Sequence, residues 1–380
     1  MSRRPALAAF AGVFVVTMLG LLAVGATLPV LPRYVRGPIG STDLAVGIVS
    51  GAFAVTGLAF RPLAGHIADN RGRRIAVVAG ALTSAVAGVL YFVPAGVPGL
   101  IVARLFLGAG EGMVFTAGSA WVVDLAPPDR RGRLIGLYGL AIWSGLSLGP
   151  PIGELILHAS SFEMVWAFAA GAPLLGAAIA LRIPERFTPA AAGRDRGPLV
   201  ARESLLPGFT LSLGVVGFAA VSAFLVLLLD ERGIGHGAAT FAAFAATVVL
   251  VRLLGGDLPD RIGPVPCAIG ASLVEALGLA LIATASGPAA VIAGAMVMGG
   301  AYSTLYPSLA LIVVGQVPEE RRGVALGTFT AFFDLGVGLG SPLVGAAAAI
   351  SGYEAAFWVA VACALGAAVI ARTGLTRTRS

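Results

Sequence analysis

Gly65-His66-Ile67-Ala68-Asp69-Asn70-Arg71-Gly72-Arg73-Arg74 is a short polar stretch between two long apolar runs, and a weaker copy, Gly256-Asp257-Leu258-Pro259-Asp260-Arg261-Ile262-Gly263, stands 191 residues further on. The offset holds along the chain. Thr56 falls on Thr247, Arg61 on Arg252 and Gly108 on Gly299. Pro127, Arg130, Arg131 and Gly132 fall on Pro318, Arg321, Arg322 and Gly323, and Gly136, Gly145 and Gly149 on Gly327, Gly336 and Gly340. Loop residues and glycines inside apolar runs thus share one register, so the chain is a duplicated unit. Parallel repeats of this kind in membranes place a site between two halves that can rock to alternate access.

The solvent of that unit is lipid. Hydrophobic residues make up 58% of the 380 and charged residues 12%, against about a quarter charged in a soluble domain. Charge-poor runs recur at 8–31, 43–65, 75–94, 99–123, 134–157, 164–182, 206–229, 237–256, 265–284, 288–313, 324–349 and 354–371. Each approaches the ~20 residues that cross ~30 Å of hydrocarbon as a helix. Met1–Arg4 ahead of an apolar run has the look of a signal peptide, but Pro5 to Pro32 carries no charge. That run is too long for a signal h-region and is read as helix 1.

Arginine sets the expected orientation. All 25 basic residues are Arg. Arg33, Arg36 and Arg232 fall in alternate connections, Arg61, Arg104 and Arg252 inside or at the edge of spans, and the other 19 on the opposite side. The positive-inside rule puts both termini in the cytoplasm. The Pro-, Gly- and charge-rich segment 183–205 is read as a cytoplasmic linker. It divides a six-helix unit, 1–182, from a second, 206–380.

The net charge of +6 belongs to topology, so no nucleic-acid partner is expected. Cys267 and Cys363 lie in apolar runs, and His66, His158 and His236 are far apart, so no metal site or other cofactor is expected. A chain without Lys has no P-loop, which excludes a nucleotide-driven pump. No catalytic constellation points to an enzyme. Asn70 and Gln316 are the only side-chain amides, which argues against a sugar as cargo.

The stretch 65–74 resembles motif A of the major facilitator superfamily, with Asn70 in place of the usual Arg. Gly65 is expected to let its helix approach a neighbour, Gly72 to permit a tight turn, and Asp69 to face the positive end of a neighbouring helix. The resemblance implies a conformational latch of Gly65, Asp69, Gly72, Arg73, Arg74, Asp260 and Arg261, with Arg73 paired to Asp124. Arg104-Leu105-Phe106-Leu107-Gly108 resembles motif B, with Leu107 in place of Gln. Gly136, Gly145, Gly149, Pro150 and Gly153 match the spacing of motif C of drug:proton antiporters, with Glu154 in place of its last Gly. A smooth glycine face there is expected to pack against the other half, and Pro150 to bend the helix. Pro29-Val30-Leu31-Pro32 matches the core of a further exporter motif. The resemblance covers essentially the whole chain. It implies an all-α membrane protein of twelve transmembrane helices in two pseudo-symmetric six-helix bundles.

It also implies function: export of lipophilic drugs or metabolites by a bacterial inner-membrane antiporter, a monomer in the lipid bilayer whose partners are protons and a small-molecule substrate. The alternative is a proton-coupled transporter of a polar metabolite, a sugar or an amino acid. Coupling needs a carboxyl whose protonation changes as access alternates, which desolvation makes possible. Glu111 is first candidate, one face with Arg104 at i,i+7. Asp334 is second. Glu275, on a helix peripheral in the family, is expected to be structural. Arg104 is either part of proton coupling or a structural pair. The substrate cavity is expected to draw on Glu111, Phe115, Tyr302, Tyr306, Trp143 and Phe14, Tyr302 being the repeat equivalent of Glu111. Asp43 is expected to cap its helix, Glu154 to gate or be solvated, and Glu163 and Glu354 to be solvated.

Overall fold

The computed structural model describes residues 3–125, 131–185, 200–318 and 321–375, with only the backbone described at 3–6, 131–133, 135 and 136. Pro127, Arg130 and most of segment 183–205 lie outside the described residues. Fourteen α-helices are described. They are α1 (Arg3–Thr27), α2 (Val30–Arg36), α3 (Asp43–Arg71), α4 (Arg73–Leu90), α5 (Gly96–Leu125), α6 (Arg131–Ala159) and α7 (Phe162–Arg182). After these come α8 (Leu205–Glu231), α9 (Gly237–Gly255), α10 (Leu258–Ile262), α11 (Pro264–Thr284), α12 (Pro288–Gly315), α13 (Arg322–Ser351) and α14 (Tyr353–Thr373).

Among the described residues, twelve helical spans are long and apolar enough to cross a membrane. Helix is the form that satisfies every backbone N–H and C=O within one segment, which lipid demands. Side chains such as Leu254, Ile350 and Leu339 point out from the protein at 77%, 83% and 71% exposure. That would be a liability in water and is ordinary against acyl chains.

The spans sit where hydropathy places them, with local differences. The first is broken at Leu28–Pro29 into α1 and α2, because proline cannot donate the backbone bond of a helix interior. Residues 65–71, read as a loop, are the last turns of α3. The turn itself is Gly72 alone, at φ 110°. Its repeat equivalent Gly263 is at φ 91°, and the second polar stretch winds into the short helix α10. Both glycines hold a conformation that a side chain resists.

The chain divides into two compact units, Met1–Tyr34 with Ala52–Arg194, and Val35–Gly51 with Asp195–Ser380. In the first, α1 packs on α6 and α7, and α4 on α5 and α7. In the second, α8 packs on α13 and α14, and α11 on α12 and α14. These are the same pairings one repeat on. A further pairing, α5 on α3 and α12 on α9, rests on glycines one repeat apart. A Cβ on Gly108 would meet the Phe53 carbonyl oxygen, and one on Gly299 the Phe244 carbonyl oxygen; 53 and 244 differ by the repeat offset.

Candidate functional site

The glycines of the motif C stretch shape the first unit. A Cβ on Gly145 would lie 2.7 Å from the Met18 carbonyl oxygen, and one on Gly149 2.6 Å from the Gly25 Cα. One on Gly153 would meet the Ala26 carbonyl. The glycine face of α6 is therefore turned to α1 of its own unit, which corrects the expectation that it packs against the other half. Small residues let the backbones approach, and close van der Waals contact replaces the hydrophobic drive that lipid does not supply. Gly136 and Pro150 belong to the same helix α6.

This seam carries α1 past α5, where Glu111 stands. The carboxyl lies against Gly20: a Cβ there would be 2.8 Å from Glu111 Oε1. On the α4 side, the Ser84 hydroxyl donates to Oε1 at 3.5 Å. No cation among the described residues pairs with it. Arg104, seven residues earlier, does not reach it. Its buried guanidinium lies over the Phe53 ring of α3, Cζ 4.6 Å from the centroid. The shared face predicted from the i,i+7 spacing thus meets different neighbours at its two ends. Close by, Tyr138 of α6 shares a hydrogen bond with Thr17 of α1 at 2.9 Å, and its ring lies 6.4 Å from that of Phe115. The Arg61 guanidinium stands 5.1 Å over Phe115, a cation–π contact. Thr17 and Tyr138 carry no sequence signal of their own. Phe14 lies beside Phe10, 6.4 Å between centroids, and Trp143 is buried in α6.

In the second unit Tyr302 is buried, its ring 5.9 Å from Phe218 and 5.7 Å from Phe244. It belongs to a packed aromatic cluster with Phe241 and Phe333. The Tyr306 hydroxyl is 2.9 Å from that of Thr330. Asp334 is buried in α13. Glu275 is fully buried in α11 against Gly214 and Gly217 of α8, and its carboxylate oxygens have no hydrogen-bond partner.

At the end of α3, Arg73 joins two carboxylates. Its NH1 donates to Asp69 Oδ1 at 2.5 Å and its Nε to Asp124 Oδ2 at 3.0 Å. The first turn of α4 is met by Glu185, which follows α7 and takes the backbone N–H of Arg73 at 2.5 Å and of Arg74 at 3.3 Å. This carboxylate satisfies first-turn donors of α4 and meets its positive end. Its position far along the sequence hides the pairing. Gly65 allows no close approach, since a Cβ there meets nothing within 4 Å among the described residues. Asn70 turns back to donate to the His66 carbonyl at 2.9 Å. In the second copy, Arg261 pairs with Asp257 of its own turn at 2.5 Å. Gly315 stands at the repeat equivalent of Asp124, so the second copy has no carboxylate at that position.

Two further acids differ from expectation. Thr42, not Asp43, caps α3, accepting from the Ala45 N–H at 3.2 Å, while Asp43 pairs with Arg36 at 3.1 Å. Glu154 is buried rather than solvated, bound by Arg33 and 3.2 Å from the His158 Nε2. Glu354 is exposed, as expected, and accepts from Arg232.

The profile of the Major Facilitator Superfamily matches residues 13–267 and 213–380. An MFS-type transporter of Salmonella typhimurium is 34% identical over 363 residues, covering 93% of each chain. The YhhS MFS-type transporter of Escherichia coli is 30% identical over 336 residues, covering 85% of this chain and 82% of its own. Among solved structures, the nucleoside transporter NupG superposes with a TM-score of 0.78 at 15% identity over 98% of this chain and 99% of its own. The human organic anion transporter MFSD10 superposes with a TM-score of 0.71 at 21% identity over 97% and 99%. With twelve apolar spans, a duplicated six-helix unit and a family profile that covers nearly all of it, the chain belongs to the major facilitator superfamily of secondary transporters.

Proposed function

We propose that the protein exports lipophilic drugs or metabolites in exchange for protons, by alternating access. The observation that carries this reading is Glu111. It is a carboxyl inside a membrane-spanning helix, with one hydroxyl and, among the described residues, no cation for company. Ionisable groups at that depth are costly and mark ion pathways by default. The glycine spacing of α6 supports the export direction by its likeness to drug:proton antiporters, and the scarcity of side-chain amides favours an apolar cargo. The arginine bias places both termini in the cytoplasm of a bacterial inner membrane, where the chain works as a monomer.

The test is uptake into inverted membrane vesicles energised by respiration, with a panel of lipophilic cations, acids and neutral compounds. At least one compound is expected to accumulate, and a protonophore to release it. If accumulation survives the protonophore, proton exchange is wrong. If no compound of the panel moves, drug export gives way to a narrower polar metabolite.

In this reading, Asp69, Arg73 and Asp124 latch one conformation. Arg73→Ala and Asp124→Asn are each expected to slow transport several-fold. Because each removes the Arg73–Asp124 pair, and Arg73→Ala the contact with Asp69 as well, the double variant should be no slower than Arg73→Ala alone. Transport rates of the three variants at matched expression check this, and additive losses would mean that the pair is not the latch.

A further inference from the structure

A carboxyl of the second unit is buried without a partner. Glu275 stands at the middle of α11, fully buried, and among the described residues neither of its oxygens has a hydrogen-bond partner. Glycines of α8 make room for it. A Cβ on Gly217 would lie 2.6 Å from Oε1, and one on Gly214 3.3 Å from Oε2. The same two positions are met by Leu279 of α11 and by Met298 and Leu305 of α12, so the surrounding wall is apolar. The charges of the packed helices stand at their ends: Asp230 and Glu231 of α8, Asp260 and Arg261 of α10, Glu354 and Arg372 of α14; α12 has none. The other titratable groups facing Glu275 are Tyr302 of α12 and Cys363 of α14, and neither is a cation.

A buried charge is normally paired, and a buried acid that serves packing is held by hydrogen bonds. Glu275 has neither, so an apolar side chain would fill the α8–α11 seam at less cost. The surroundings admit the neutral acid and reject the bare carboxylate. Packing therefore does not account for the residue, whereas binding a proton does. The repeat gives independent support. In the first unit Ser84 of α4 donates to Glu111 of α5, and Gly20 of α1 makes room for the carboxyl. The repeat equivalents of Ser84 and Glu111 are Glu275 of α11 and Tyr302 of α12. Each half thus brings one carboxyl and one hydroxyl-bearing residue to the same two positions, with the roles exchanged. In each, glycine on the first span of that half faces the carboxyl.

We propose that Glu275 is a second proton-binding site, whose carboxyl gives its proton to water and takes it back when α8 shifts on α11 and α12. A proton needs no preformed cavity, only transient entry of water at the seam. Placing this proton in the transport cycle rests on the export reading; the binding site does not. In that cycle it would accompany the proton at Glu111, and neither alone would sustain net export.

The test is infrared difference spectroscopy of the purified full chain in lipid nanodiscs, titrated with acid and base and with no gradient or cargo. A protonated buried carboxyl has a C=O stretch above the amide bands. The wild type is expected to show a Glu275 band that shifts in D2O and fades as the pH is raised. Glu275→Gln should remove that band and leave the one that Glu111→Gln removes. A Glu275 band that persists at every pH and does not shift in D2O would mean a locked structural acid. If Glu275→Gln removes no band, the residue holds no proton. Either result overturns the site. If Glu275→Gln does not fold, Glu275→Asp, which displaces the band instead of deleting it, makes the assignment. Failure of proton exchange in vesicles would leave the titration of Glu275 intact. Failure of this site would leave protonophore-sensitive export through Glu111 intact.

Discussion

Glu111→Gln is expected to abolish proton-driven accumulation while leaving the protein folded and able to bind its cargo. Glutamine keeps the volume beside Gly20 and still reaches the Ser84 hydroxyl, which stands 3.5 Å from the native carboxylate oxygen. It removes only the ability to take and release a proton. One charge moved through 100 mV contributes about 2.3 kcal/mol, which sustains roughly a fiftyfold concentration ratio when each 1.4 kcal/mol is tenfold. Without a titrating group the ratio in inverted vesicles should fall to about one. Downhill exchange of preloaded cargo should continue. The two assays on the same vesicle preparation separate lost coupling from lost transport. A variant that still builds a protonophore-sensitive gradient would show that the proton binds elsewhere, and the buried Asp334 of α13 would be examined next.

Gly149→Leu is expected to prevent assembly of the first unit. The new Cβ alone would stand 2.6 Å from the Gly25 Cα and 2.7 Å from the Ala26 nitrogen. Those are backbone atoms of α1, which cannot rotate aside, so the α1–α6 seam has to open along its length. Overpacking a core that can adjust typically costs 1–3 kcal/mol; a clash of backbone with backbone lies at or above the top of that range. The loss should appear as little monodisperse protein in fluorescence-detected size exclusion. Gly171→Leu in α7 is the control, since a Cβ there meets nothing within 4 Å, and it should elute as the wild type does. Normal yield and Tm for Gly149→Leu would mean that the seam is looser than its glycines imply.

Membrane class, the twelve spans and the duplication were legible from the amino-acid order, because each depends on local composition or on a register that linear reading preserves. A run of some 20 apolar residues has one stable form in lipid wherever it sits. The positions of Glu111, Arg104 and Asp334 inside spans followed from the same rule. The break at Pro29 was within reach too, from proline chemistry alone.

What each of those residues meets was decided by tertiary structure. Helical periodicity places Arg104 and Glu111 on one face, but only packing shows α3 beneath the first and α1 with α4 beside the second. Glycine spacing marks α6 as a close-packing helix without saying which partner receives it, because a smooth face is complementary to any helix; the answer is α1. The end of α4 is met by Glu185, 111 and more residues away, and no local pattern couples two positions that far apart. The guanidinium of Arg252 was visible as a charge in an apolar run. That the Ser303 carbonyl of α12 accepts from it is a property of two helices brought together. Sequence thus determined which segments cross the membrane and which charges go with them. Side-chain contact across helices, set by shape and short-range forces, decided what those charges can do.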